Sequence, residues 1–277
     1  MQGQIVKIIS NHFTVKHNAD LYDCMASGNL RNRHEIPLAG DYVEFDLEKK
    51  YITKILPRKN ELVRPPVSNI DNALIVTSVG IPAFSSNLLD KLLCIIEFNN
   101  IKPIICFSKI DTLNDLEKEE IINYINYYKK IGYDVYINTE LDKIKKIFRN
   151  KITVFTGQTG AGKSTLLNKI DSNLNIKTGE VSLALGRGKH TTRHIELMNI
   201  CGGLIADTPG FSSLEFYDMK KSDIRDNFIE FNLYREKCKY KDCMHDMEDD
   251  CYIKELVKDG IILKSRYENY INFIKRV

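Results

Sequence analysis

The sequence predicts a multidomain α/β protein: a small β-barrel, a doubly wound domain with a mainly parallel sheet, and a helical C-terminal segment. Three observations predict it. Short runs of alternating polarity fill residues 1–56. Unbroken apolar runs then alternate with helical stripes as far as Phe211. From about Ser213 the composition becomes charged and helical, with a cluster of cysteines inside it.

The bulk composition allows this and excludes several classes. Of 277 residues, 43% are hydrophobic and 28% charged, an ordinary globular balance that is far from disordered or collagenous chains. No apolar run approaches the about 20 residues of a membrane-spanning helix. Met1–Ser10 alternates in polarity where a signal peptide would carry an unbroken apolar core. The expectation is a cytoplasmic protein without a membrane partner. A net charge of +3 does not by itself argue for nucleic acid. Cys24, Cys94, Cys106 and Cys201 stand singly in apolar stretches and read as buried thiols, not disulfide partners.

Taken in order, Ile5–Ile9, Phe13–Lys16, Leu21–Ala26, Tyr42–Leu47 and Tyr51–Ile55 each suit a half-buried strand, with Asn11, Asn18, Gly28-Asn29 and Gly40-Asp41 as turns. Five short strands without a helix pattern suggest a barrel of the oligonucleotide-binding (OB) type; an SH3-like or other small β-module also fits. Phe13, Tyr22, Arg31, Arg33, His34 and Tyr42 can stack on and pair with a nucleic-acid strand, or serve as ordinary core and surface. Arg64–Asn69 reads as a linker. Asn72–Ser78, Lys102–Phe107, Val135–Ile137 and Ile152–Thr156 read as strands. Asn87–Phe98, a segment capped by Asn114 with Glu117 and running to Lys130, and Leu141–Arg149 read as helices. The expected domains are 1–64, 65–212 and 213–277.

The strongest motif is Gly157-Gln158-Thr159-Gly160-Ala161-Gly162-Lys163-Ser164-Thr165, which fills the phosphate-loop pattern between a strand and a helix. Its glycines let backbone N–H groups curl toward phosphate oxygens, Lys163 reaches the β- and γ-phosphates, and Ser164 offers its hydroxyl to Mg²⁺. Asp207-Thr208-Pro209-Gly210 follows 44 residues after Lys163. Asp207 can hold Mg²⁺ through water, and Gly210 can offer its N–H to the γ-phosphate. Ser108-Lys109-Ile110-Asp111 resembles the Asn/Thr-Lys-x-Asp guanine motif. The Asp111 carboxylate can accept from guanine N1–H and the exocyclic amine, a paired edge that adenine lacks, and the Lys109 stem can lie along the base. Serine has one hydroxyl and a shorter reach than the usual asparagine. That leaves open the contact to guanine's opposite edge and the tie to the phosphate loop.

The order of the motifs is inverted, since Asp111 precedes Gly157; a doubly wound sheet tolerates such a permutation. Between the two phosphate motifs, Gly186–Arg193 is Gly-rich and basic. There Thr192, or alternatively Thr191, can close on Mg²⁺. Phe211 stands where many GTPases place a water-orienting glutamine, so His190 becomes the candidate to position water. Further on, Cys238, Cys243, His245 and Cys251 form C-x4-C-x-H-x5-C, a spacing that closes a tetrahedral site; Zn²⁺ in a structural role suits it, a redox pair or unrelated thiols being the other readings.

Together these parts resemble one family over nearly the whole chain, the bacterial small-ribosomal-subunit-dependent GTPases known as RsgA or YjeQ. The resemblance implies an OB barrel, a circularly permuted GTPase stimulated by the 30S subunit, and a late role in that subunit's maturation, with 16S rRNA, GTP and GDP as partners and a monomeric state. It places nucleotide binding on Ser108–Asp111 and Gly157–Thr165, and one zinc per chain on Cys238, Cys243, His245 and Cys251. Two other functions compete: a permuted GTPase serving the large subunit, and a nucleic-acid-binding module whose nucleotide site is only structural. The barrel and zinc module argue against the first, and intact Lys163, Ser164 and Asp207 against the second.

Overall fold

The structure, a computed structural model, describes residues 1–63, 66–174, 176, 194–206, 215, 216 and 218–277. The barrel comprises β1 (Gln2–Ile9), β2 (His12–His17), β3 (Asp20–Ala26), β4 (Tyr42–Asp46) and β5 (Tyr51–Ile55). They close in the order β1-β2-β3-β5-β4 and back to β1, with β3 and β5 parallel. Alternation does what it should: Ile5, Val15, Val43 and Ile52 are fully buried inside. One short helix, α1 (Gly28–Asn32), was not expected. Five residues are too few to display a 3.6-residue period, and its anchor is the single buried Leu30. Phe13 belongs to the core, while Tyr42 is exposed.

Part of the expected linker is ordered as a hairpin, β6 (Glu61–Val63) with β7 (Pro66–Ser68). Arg58 fastens it to the barrel, donating to both carboxylate oxygens of buried Asp41 at 2.7 Å. The second domain follows: β8 (Asn72–Ser78), α2 (Ser86–Phe98), β9 (Lys102–Ser108), α3 (Asp115–Lys130), β10 (Asp134–Ile137), α4 (Leu141–Lys146), β11 (Ile152–Thr156), α5 (Lys163–Ile170), β12 (His194–Ile200) and β13 (Gly203–Ala206). All seven residues of β8 are buried, as a strand covered on both faces requires. Asn114 and Glu117 form the expected capping box on α3. Helix α4 ends three residues earlier than the pattern suggested.

The sheet order is β10-β9-β8-β11-β13-β12. The chain lays β9 and β10 on one side of β8, then returns to the other side with β11. The switch point therefore lies between β8 and β11, where doubly wound sheets bind ligands at the carboxyl ends of the strands. The sequence reading missed β12, and with it the way the barrel is attached. β12 pairs with β1 through Lys7↔Glu196, Ile8↔Ile195 and Ile9↔His194, so barrel and second domain share one continuous sheet.

The C-terminal part contains α6 (Lys221–Asp226), α7 (Ile229–Tyr234), α8 (Tyr252–Lys258) and α9 (Lys264–Ile274) around Phe228, Phe231, Tyr270 and Phe273. It docks on α2 through a buried ion cluster. Arg266 of α9 donates to Asp90 of α2 at 2.7 Å and to Glu230 of α7 at 2.7 and 3.0 Å. Asn269 donates to the other Asp90 oxygen at 2.7 Å, and the guanidinium lies 4.3 Å from the centre of the Phe228 ring. Removing one partner would leave a buried charge unmatched, so the cluster fixes the register of α9 on α2. Cys24, Cys94 and Cys106 are buried as expected, but Cys201, on the turn before β13, is only half-buried. No described helix is long and apolar enough to cross a membrane.

Candidate functional site

The loop between β11 and α5 carries the phosphate-binding sequence, and its shape is dictated by glycine. Gly157 has φ +124°, and a Cβ there would lie 2.0 Å from the Val76 carbonyl oxygen. No other residue fits so close to the neighbouring strand. Gly160 and Gly162 are also in the left-handed region, at φ +80° and +90°. Ser164, in the first turn of α5, is buried. Lys163 folds back over the loop and donates to the carbonyls of Gly157 at 2.7 Å and Gln158 at 2.8 Å. Burial lowers its amine from the usual lysine range to about 8. A cation that is half withdrawn from water and held, among the described residues, by two carbonyls is a ready partner for a phosphate.

The guanine-type motif follows β9 and reaches this loop directly. The Ser108 hydroxyl donates to the Ala161 carbonyl at 2.6 Å, with the Thr77 carbonyl further off at 3.3 Å. The Lys109 amine donates to the Gly160 carbonyl at 2.7 Å and to the Ile81 carbonyl. Two adjacent residues thus hold two adjacent carbonyls. In a trans peptide the N–H points away from its carbonyl, so anchoring the Ala161 carbonyl outward aims the Gly162 N–H the other way. Serine therefore keeps the tie to the phosphate loop, which the sequence left open. Its single hydroxyl hydrogen is committed there. Asp111 is exposed on the turn that follows, and the Lys109 residue before it is itself left-handed at φ +66°.

The structure thus brings Ser108, Lys109 and the 157–165 loop together at one end of the sheet. Residues His190, Thr191, Thr192, Asp207, Gly210 and Phe211 lie outside the described residues. Asn138 follows β10, and its N–H donates to the Phe107 carbonyl at 2.9 Å, which sets it beside Ser108.

The cysteine cluster is equally compact. The ligand atoms of Cys238, Cys243, His245 and Cys251 all lie within 4.8 Å of one another. Metal–sulfur bonds of about 2.3 Å place ligand atoms about 3.8 Å apart, so the set needs only a small contraction to close. His245 turns Nδ1 toward the thiols, 3.3 Å from Cys251 Sγ and 3.7 Å from Cys238 Sγ. Burial lowers this imidazole to about 4, leaving it neutral with a lone pair to give. Burial also pushes the Cys243 thiol up to about 12 and raises Cys251. Buried, inward-facing thiols that cannot ionise alone are a donor set in want of a cation, and three sulfurs with one nitrogen suit zinc. The backbone of the loop is held from α9, where Tyr267 donates to the His245 carbonyl at 2.7 Å and Tyr270 to that of Met244.

Comparison with known proteins agrees with this geometry. A family profile described as RsgA GTPase matches residues 55–217, and one described as RsgA N-terminal domain matches residues 2–54. A protein of Listeria monocytogenes serotype 4b named small ribosomal subunit biogenesis GTPase RsgA 1 is 47% identical across 100% of this chain and 97% of its own length. The protein of Halalkalibacterium halodurans named small ribosomal subunit biogenesis GTPase RsgA is 45% identical over the same shares. Among solved structures, YloQ, described as a circularly permuted GTPase, superposes with TM-score 0.83 at 37% identity, covering 99% of this chain and 94% of that one. YjeQ from Thermotoga maritima gives 0.85 at 29% identity, covering 99% and 97%.

Proposed function

The chain belongs to the RsgA family of GTPases, and from that premise we propose that it hydrolyses GTP to GDP and phosphate on the 30S ribosomal subunit, assisting the subunit's late maturation. The observation that carries the reading is the clamp of Ser108 and Lys109 on Ala161 and Gly160. It joins a base-reading loop and a phosphate-binding loop into one crevice although their order in the chain is inverted.

In this reading Lys163 exchanges the Gly157 and Gln158 carbonyls for β- and γ-phosphate oxygens. The N–H groups of Gln158–Thr165 and the N-terminus of α5 cradle the phosphates. Asp111 selects guanine, and the Lys109 stem lies along the base. Ser164 and Asp207 would hold the Mg²⁺ that accompanies GTP, which neutralises phosphate charge when bound. Thr192, with Thr191 as the alternative, would help hold the same ion, and Gly210 would offer its N–H to the γ-phosphate. His190 positions the attacking water in place of the glutamine that Phe211 replaces. Cys238, Cys243, His245 and Cys251 would hold one structural zinc, whose four protein ligands leave no place for a reactive water. The ribosomal role makes 16S rRNA the partner and the cytoplasm the location, and the protein acts as a monomer.

The test is GTP turnover by the wild-type and His190→Ala proteins, measured in parallel with 30S subunits, with 50S subunits and with neither. The reading predicts wild-type stimulation by 30S subunits alone. It also predicts a variant that binds GTP and 30S subunits normally but loses most of the stimulated rate. Stimulation by 50S subunits would overturn the assigned partner. A variant that keeps its stimulated rate would remove His190 from the water.

A further inference from the structure

The end of the sheet opposite the phosphate loop, where β8, β11 and β13 begin, carries a second concave feature. A groove of about 490 Å³ lies where the barrel meets the GTPase domain. Gln4, Lys16 and Tyr42 line it from the barrel, where Gln4 stands opposite Lys16 on one side and Tyr42 on the other. Lys59 enters from the segment between β5 and β6, and Lys151 from the residue before β11. A single acid, Asp71, stands among the described lining residues. One of its oxygens takes Lys59 at 2.5 Å and Lys151 at 3.7 Å, and the other accepts the Ile152 N–H at 2.8 Å. One carboxylate thus faces two ammonium groups whose side chains are still half exposed, and Lys16 adds a third cation to the lining.

Arg149 carries the positive charge past the lip of the groove. The stem of Arg149 passes 4.0 Å from the position a Cβ would take on Gly202, itself a lining residue. Against a net charge of only +3 for the chain, this is a strong local concentration. Tyr42 adds an aromatic ring that is 51% exposed.

We propose that this groove is a docking track for single-stranded or looped rRNA, with backbone phosphates on Lys16, Lys59, Arg149 and Lys151 and a base stacked on Tyr42. Excess cations around one carboxylate are the electrostatic footprint of a polyanion. An exposed ring beside them is the stacking platform that unpaired bases use. A protein partner would want an apolar centre inside a polar rim, and the large apolar side chain exposed here among the described lining residues is Tyr42 alone. The groove also bridges β1 and β4 of the barrel to β11 and β13, so one RNA segment would touch both domains. The assignment rests on the small-subunit reading above.

The test replaces Lys16, Arg149 and Lys151 together by Gln, leaving Lys59 to hold Asp71. A control replaces Lys118, Lys129 and Lys130 on α3 by Gln, with the same change of net charge. Binding to 30S subunits and to naked 16S rRNA is measured over a salt series. Each lost phosphate contact on a single strand lowers the slope of log affinity against log salt by about 0.7. The groove variant should therefore lose about 2 from its slope and bind at least about tenfold more weakly, while the control follows the wild type. GTP hydrolysis without subunits should be unchanged in both. A groove variant with the wild-type slope overturns the proposal. Weakened subunit binding with unchanged binding to naked rRNA overturns the choice of RNA in favour of a ribosomal protein. A wild-type protein that does not bind 30S subunits overturns the reading beneath, and the naked-rRNA series still decides the groove.

Discussion

The nucleotide site and the metal cluster are both written in short stretches of sequence, but they are built from different parts of the chain. Residues 157–165 present backbone N–H groups, and their shape depends on what stands outside the loop. Val76 leaves no room for a side chain at Gly157, and Ser108 and Lys109 hold two carbonyls from another strand. Residues 238–251 present side chains that converge on one point, with Arg225, Tyr267 and Tyr270 holding carbonyls of the segment from outside. The first site can lose a side chain and keep its form. The second is built from its side chains and the ion they suit. The two should therefore fail in different ways.

The largest effect on activity is expected at Lys163. Lys163→Ala removes the charge facing the phosphates and its own two bonds to the Gly157 and Gln158 carbonyls, but leaves the Ser108 and Lys109 bonds that hold the loop from β9, so hydrolysis should fall by a factor on the order of a hundred or more. The thermal unfolding midpoint should stay close to wild type. Near-normal turnover in a folded variant would mean that the loop does not bind the reacting phosphates. A smaller and more selective change should follow Asp111→Asn. Exchanging the carboxylate for an amide reverses the hydrogen-bonding edge, so GTP should weaken by about tenfold or more, on the order of 1–3 kcal/mol for a lost bond to charge, while xanthosine triphosphate improves. An unchanged preference between the two nucleotides would take Asp111 out of the base site.

The smallest effect is a pH dependence. Burial holds the Lys163 amine at about 8. GTP affinity should be full below that value and decline as pH rises through it, because the neutral amine no longer attracts phosphate. Folding has the opposite sign. The unfolded chain keeps this proton to about 10.4, so losing it in the folded state between about 8 and 10.4 relieves a burial cost and raises stability. Affinity that falls above pH 8 without loss of the folded state separates the two. The Lys163→Ala protein should show a flat profile.

Much of this was legible in the sequence, for identifiable reasons. The barrel strands alternate in polarity, the β8 run is buried on both faces, and the phosphate loop and Cys/His spacing are local patterns that need no partner to be recognised. What escaped was non-local or short. Helix α1 has too few residues to show a period, and the last residues of the predicted α4 form a turn instead. Strand β12 was hidden because its role is to pair with β1, almost two hundred residues away in sequence. Asp90, Arg266 and Glu230 belong to no local pattern; only packing α2, α7 and α9 together buries them and makes them partners. Ser108 shows the same limit. Its departure from asparagine was plain in the sequence, but its bond to Ala161 required the fold.

The central claim is that the nucleotide site, shaped by Val76, Ser108 and Lys109, is complete without the proposed zinc, whose role is structural. The most direct measurement is made on Cys243→Ser: metal content by elemental analysis, then GTP hydrolysis with and without 30S subunits. Zinc binding contributes on the order of 10–16 kcal/mol in small zinc modules, so metal should drop below one per chain and the 238–251 segment should loosen. Intrinsic hydrolysis should stay at the wild-type rate. Full metal occupancy, or intrinsic hydrolysis that disappears with the metal, would contradict the account.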